Sequence, residues 1–276
     1  MSRQLLKAIM PPALLALARR ARPEWRYVGE EAGAIDERGW QHPSVTAAQI
    51  RKWPRWVEVV NSESAGYSFE APTLANPNIA AHNVALTFGY VLATAARDAR
   101  SGALRVLDWG GGLGHYYPLA KKLLANIPIS YTVADLPEVM AAGRTINPDV
   151  TFKPSDEALH SQLYDLVVAS GSIQYVPDWR ALVRRLVQAT RHYLYIARVP
   201  TLRAARSFVA TQRAHRYGYL TEYSGWCLNR AELLAAVAAD GAELIDEFLL
   251  EEYGHLARAP EQPVGRGFLF RRSTGT

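Results

Sequence analysis

Short apolar runs alternating with helically spaced segments organise the chain beyond residue 78. Leu104 to Asp108, Ile129 to Asp135, Val150 to Phe152, Tyr164 to Ser170 and Tyr193 to Pro200 are rich in β-formers and bounded by Gly, Pro, Asp or Ser. Each reads as a buried strand. Glu243 to Phe248 and Gly267 to Arg271 add a sixth and a seventh. Asn78 to Asp98, the segment after Pro118 and the segment after Pro177-Asp178 take helical spacing instead. Pro and an acid suit a first helical turn. Asn229-Arg230-Ala231-Glu232 has the form of a capping box opening a helix to Ala239, with Gly241 as its stop. Strands alternating with helices predict an α/β fold with a doubly wound sheet.

The rest of the chain departs from this rhythm. We divide it into an N-terminal helical arm and cap, 1–77, and an α/β domain, 78–276, with an insertion at about 199–230. The arm carries Arg3, Lys7, Arg19, Arg20 and Arg22 beside apolar residues, with Pro11-Pro12 between two short helical stretches. It reads either as a support packed on its own domain or a second subunit in a homodimer, or as a basic amphipathic segment on an anionic membrane. Residues 23 to 78 hold Trp25, Trp40, Trp53 and Trp56, with helix signals only between Val45 and Val60. Such aromatics line a substrate pocket or bury a satellite cluster. The insertion concentrates Arg203, Arg206, Arg213, His215, Arg216, Tyr217, Tyr219 and Tyr223, as substrate wall or solvated helix face. The uncharged run Ile79 to Ala96 has about the minimum length of a membrane span, but its His82, Asn83 and Thr87 favour a core helix.

Composition narrows the setting. A hydrophobic content of 49% supports a packed core, and the net charge of +5 is scattered, which argues against nucleic acid as a partner. One cysteine, Cys227, excludes an internal disulfide framework and reads as a small buried apolar residue. No clean secretory signal is visible, so a cytoplasmic location is expected, peripheral to the inner membrane if the arm binds lipid.

The chemistry centres on Asp108-Trp109-Gly110-Gly111-Gly112-Leu113-Gly114-His115, where the first strand ends. Glycines at 110, 112 and 114 let the backbone take positive φ and approach a ligand closely. A dinucleotide fingerprint would need a third glycine at 115, where the chain has His115. What stands here resembles motif I of the class I methyltransferases that use S-adenosylmethionine. The resemblance implies a seven-stranded Rossmann-like sheet with an antiparallel last strand. It implies a loop passing under the methionine part of the cofactor through Gly110, Gly112 and Gly114, with Asp108 ordering the loop and the cofactor's ammonium group. Asp135, 21 residues past Gly114, has the spacing of a ribose-binding carboxylate. Leu136 would flank the adenine. Ser155-Asp156 reads as an adenine contact or as a helix N-cap. Ser170 and Ser172, where the fourth strand ends, complete the expected cofactor set.

Asp-Trp-Gly-Gly-Gly-Leu-Gly, with Gln-Tyr-Val-Pro-Asp and Ala-Arg-Val-Pro further on, is similar more narrowly to bacterial methyltransferases encoded among surface-polysaccharide genes. The implied reaction is methyl transfer, chiefly to oxygen, on a small-molecule or glycan acceptor. After strand four, Gln174-Tyr175 stands where related enzymes often carry histidines. His115, His192 and His215 are therefore the candidate bases, with Tyr175 and Arg198 to orient or to stabilise charge. Ser170 in place of an acid argues against a metal. The rival readings are a non-catalytic cofactor-binding partner at a membrane assembly and an NAD(P)-dependent oxidoreductase.

Overall fold

The computed structural model describes residues 24–273 apart from 32, 34, 36, 63–65, 73, 100–101 and 253–254. The basic arm at 1–22 lies outside the described residues. The main sheet contains β2 (Leu104–Trp109), β3 (Ile129–Ala134), β4 (Thr151–Phe152), β5 (Tyr164–Ser170), β6 (Thr190–Leu202), β9 (Ala242–Glu252) and β10 (Val264–Arg272). Their order is β4-β3-β2-β5-β6-β10-β9. The first five run parallel, and β10 is antiparallel to both β6 and β9. This is the doubly wound sheet with its reversed last strand.

Both faces of the sheet are covered, as its nearly continuous apolar strands require. Alternate residues of β5 serve opposite cores: Leu166 and Val168 join one cluster, Val167 and Ala169 the other. The helix Ile79–Asp98 packs Val84, Phe88, Val91, Leu92 and Ala95 into the first, with Tyr116 and Ala120 of the helix Tyr116–Leu123. By length and composition alone the Ile79–Asp98 helix could cross a membrane, yet this stripe of buried residues at helical spacing lies on the sheet. The opposite core takes Leu182, Val183, Leu186 and Val187 from the helix Trp179–Ala189, and Leu233 and Val237 from Arg230–Ala239. Asn78, Asp178 and Asn229 cap these helices by accepting from backbone N–H groups three residues on. The Asn229 box is half formed, because Glu232 bonds Ser207 and Arg180 instead of returning to the cap. Cys227 is buried, as expected.

The insertion differs from expectation. Arg203, Arg206 and Arg213 do not line a helix. Residues 199–230 extend β6 to Leu202 and then form an antiparallel pair, β7 (Phe208–Arg213) and β8 (Glu222–Asn229). A strand unseen in the sequence pattern, β1 (Trp25–Gly29), pairs with β7. The division at 77/78 thus separates β1 from the strand it pairs with. This small sheet joins the main one where Thr201 and Leu202 of β6 meet Leu228 and Asn229 of β8. The cap supplies the helix Pro43–Asn61, whose Trp56, Val59 and Val60 pack with Phe69, Leu74, Leu113 and Val139 above the strand ends.

Leu194 on β6 is fully buried between β5 and β10. Leu194→Ala should lower the unfolding free energy by about 3 kcal/mol, read from urea denaturation. A cost below about 1 kcal/mol would contradict its place in the core.

Candidate active site

The glycine loop is shaped by what each missing side chain makes room for. Gly110, Gly112 and Gly114 have φ of 73°, 59° and 77°. A Cβ on Gly110 would lie 2.4 Å from Cβ of Ser172, and one on Gly114 would lie 2.9 Å from Nδ2 of Asn147. Asn147 in turn donates to the carbonyls of Leu113 and Gly114. Gly114 is therefore required for packing beneath the loop. Asp108 also lies beneath: its carboxylate faces Gly111, accepts from the Tyr131 hydroxyl at 2.9 Å and leaves Oδ1 without a partner. Burial pushes the Asp108 carboxyl up to about 7. It lies below the loop and is not among the residues that line the cleft.

Above the loop, Asp135 at the end of β3 accepts from Gly112 N through Oδ2 and from Leu136 N through Oδ1, both at 2.7 Å. Burial raises its pKa. Ser170 and Ser172 leave β5 beside it. The Ser170 hydroxyl bonds that of Tyr116, and Ser172 donates to the carbonyl of Trp109. Ser155 accepts from Trp109 Nε1 at 2.8 Å. Pro154, not Ser155, occupies the N-cap of the next helix.

Arg198 is aimed by a β-bulge. Gly267 of β10 faces both Ala197 and Arg198, because Arg266 pairs with Val199 and Phe268 with Ile196. Arg198 there has φ of 54°, a strained value for a side-chain-bearing residue. Gly171 takes φ of 63°, and a Cβ there would lie 2.7 Å from Nη1 of Arg198, close enough to shift the guanidinium. The guanidinium pairs with Glu70 at 3.1 Å. Glu70 also accepts from His115 Nε2 at 3.0 Å, from the Tyr116 hydroxyl at 2.8 Å and from Ser68. Burial alone would raise the Glu70 carboxyl, but Arg198 and His115 beside it hold it well below the usual range. Lys52, lowered to about 8 by burial, donates to the carbonyls flanking Glu70, those of Phe69 and Ala71. Phe69 stacks on the His115 ring at 4.8 Å.

These groups line one cleft of about 410 Å³. Gly110, Gly112, Asp135, Leu136, Ser155, Ser170 and Ser172 line one part of it, with His115, Tyr175 and Arg198 beyond them. The remaining wall is aromatic: Trp40 stacks on Tyr223 at 4.3 Å and meets Tyr175 at 4.8 Å, with Tyr217 and Tyr219 adjoining. Other expected residues lie elsewhere. Asp156 is at the surface, paired with Arg185. His215 is exposed on the turn after β7, and His192 lies near Asp165 away from the cleft, so neither histidine is placed as a base. Glu70, Gln49 and Phe69 were not visible as site residues. The one available signal was an acid set among aromatics in Tyr67-Ser68-Phe69-Glu70.

A glycine loop with a carboxylate at the next strand end, at the C-terminal edge of a doubly wound parallel sheet, defines a nucleoside-binding α/β protein. The chain belongs to the methyltransferase-domain family, whose model matches residues 77–247. Among solved structures, magnesium protoporphyrin IX methyltransferase from Synechocystis PCC 6803 with bound SAM is similar at 14% identity and TM-score 0.54, over 87% of this chain and 99% of that one. The same enzyme with bound SAH gives 13% identity and TM-score 0.53, over 86% and 100%. At this identity the likeness concerns the fold. No curated protein matches the chain.

Asp108 gives this site a pH signature. Its folded pKa of about 7 lies above its unfolded value, so folding favours the protonated acid. Stability on its account is fullest below about pH 4 and falls as pH rises towards 7. Glu70 acts in the opposite sense: its contribution is present above its unfolded value and is lost as pH falls. Asp108→Asn should therefore be more stable than the native chain at about pH 8, with the gain vanishing at about pH 4, in urea unfolding. An equal effect at both pH values would overturn the assignment.

Proposed function

We propose that this protein transfers a methyl group from S-adenosylmethionine to an oxygen of a small-molecule or glycan acceptor. The observation that carries this reading is Asp135, anchored by Gly112 N and Leu136 N at the lip of a cleft with a bare glycine loop and an aromatic chamber. The residues present fit the cofactor. Gly112 leaves open a space that a Cβ would fill between Gln49 and His115, and buried polar atoms of both residues lack partners. Asp135 would hold the ribose, Leu136 and Ser155 the adenine, and Gly110 to Gly112 the methionine part. The bound cofactor supplies an electrophilic sulfonium methyl.

The protein's task is then to hold the acceptor in line. Trp40, Tyr175, Tyr219 and Tyr223 offer flat apolar walls, and Gln41, Gln174 and Gln212 offer amides, a combination suited to a ring bearing hydroxyls. Burial raises the Tyr175 hydroxyl, so it stays protonated and would serve to orient the acceptor, not to remove its proton. Arg198, ion-paired with Glu70, would orient the acceptor oxygen at the cleft wall, and the proton that the hydroxyl loses passes to water. The resemblance to enzymes of surface-polysaccharide loci supports a glycan acceptor, and the basic arm at 1–22 supports a cytoplasmic protein, peripheral to the inner membrane or dimeric.

Calorimetric titration should show saturable binding of S-adenosylhomocysteine and none of NAD. Asp135→Ala should weaken the former at least about tenfold by removing the ribose bonds. Folded protein that ignores S-adenosylhomocysteine would sink the cofactor reading. The full chain should also sediment with anionic vesicles, not neutral ones, and be released by salt. Indifference to vesicle charge would leave the arm to packing or dimerisation.

A further inference from the structure

We propose that Trp25 and Gln212 form an outer acceptor subsite for an uncharged sugar unit, so that the acceptor is an oligosaccharide methylated on the unit next to it. This rests on the glycan-acceptor reading and extends it outward. The register of the small sheet places the residues. Trp25 of β1 pairs with Gln212 of β7, and Gln212 pairs with Tyr223 of β8, so the three stand side by side on one face. All three line the cleft. At about 4.8 Å per strand, the row from Tyr223 to Trp25 runs about 10 Å. Its inner end lies in the aromatic chamber, where Trp40 stacks on Tyr223 and Tyr175 meets both rings. Gly225 seats Tyr175 there, because a Cβ at that position would lie 2.9 Å from the Tyr175 ring. One sugar ring held against Tyr175 and Trp40 leaves Trp25 two strands further out, for the next unit along the chain.

The chemistry of the row suits a sugar. An indole face takes the C–H surface of a ring, and an amide bonds its hydroxyls. Both side chains are held in place: Trp25 packs on the cluster of Phe208, Ala210 and Leu256, and Gln212 Nε2 donates to Glu24 Oε1 at 2.9 Å. Gln41 adds a further amide to the same lining. Charge decides what kind of unit fits. Both arginines of the described lining are matched by carboxylates, Arg198 by Glu70 at 3.1 Å and Arg216 by Glu24 at 3.0 Å. A nucleotide sugar would bring its diphosphate to a wall whose guanidinium charges are already balanced, and would lose water without gaining a counter-charge. An uncharged sugar chain makes no such demand.

Calorimetry on the full chain saturated with S-adenosylhomocysteine tests this with the methyl glycosides of glucose, galactose, mannose and rhamnose, the disaccharide of each, and UDP-glucose. At least one disaccharide should bind about tenfold more tightly than its monosaccharide, and UDP-glucose no more tightly than methyl glucoside. In Trp25→Ala the disaccharide should fall to the level of the monosaccharide, whose own binding is unchanged, while Trp25→Phe should keep most of the gain. Unchanged binding of S-adenosylhomocysteine shows that both variants are folded. Equal affinity of the native chain for mono- and disaccharide, equal weakening of both in Trp25→Ala, or a preference for UDP-glucose would overturn the outer subsite and leave the glycan reading standing. A native chain that binds S-adenosylhomocysteine but no saccharide would overturn the glycan acceptor as well. One that binds neither would overturn the cofactor reading with them.

Discussion

One buried carboxylate joins parts of the chain that have no other reason to meet. Glu70 comes from the cap, His115 and Tyr116 from the start of the helix after the glycine loop, and Arg198 from the bulge in β6. A buried acid is tolerated only when charge and hydrogen bonds satisfy it, and this one has four donors. Lys52 secures the backbone on either side of it. Removing the carboxylate would leave the Arg198 guanidinium without its counter-charge, the His115 tautomer unspecified and the cap without its polar tie to the strand ends.

Much of the strain and unsatisfied polarity lies at this crest, with Asp108 in β2 and Trp179 in the core on one sheet face as exceptions. Arg198 and the three glycines of the loop take positive φ, burial pushes the Asp108 carboxyl beneath the loop up to about 7, and unpartnered polar atoms of Trp40, Gln49, His115 and Gln174 belong to cleft residues. The cores on the two sheet faces, by contrast, are dominated by fully buried apolar side chains. A rigid, satisfied sheet is what allows the crest to hold groups away from their individual optima, and ligand binding is where those costs are recovered.

How much of this was legible depended on the range of the interaction that determines each part. The parallel strands announce themselves through consecutive apolar β-formers, and Gly110 to Asp135 through a local spacing that places loop and carboxylate at neighbouring strand ends. Helix caps at Asn78, Asp178 and Asn229 are equally local. The strand at Trp25–Gly29 was not legible, because its pairing with Phe208–Arg213 joins segments about 180 residues apart and neither is stable alone. His215 and His192 show the converse: residue type suggested chemistry, but only the path of the chain shows that neither reaches the cleft. Glu70 is an ordinary acid in sequence and acquires its role chiefly from His115, Tyr116 and Arg198, all 45 or more residues away.

The bulge in β6 links the two halves of the site. By setting Ala197 and Arg198 against the single Gly267, it turns the Arg198 side chain into the cleft. The strand continues beyond it to Leu202, where it meets β8 and so carries the small sheet that bears Tyr223. One inserted residue thereby aims the cation and positions the aromatic wall opposite it. On the proposed reading the cofactor half depends on Gly110 to Gly114 and Asp135, none of which lies in that small sheet. On that reading side chains on β1, β7 and β8 can vary, and acceptor preference with them, while the bulge keeps Arg198 pointed at the cleft.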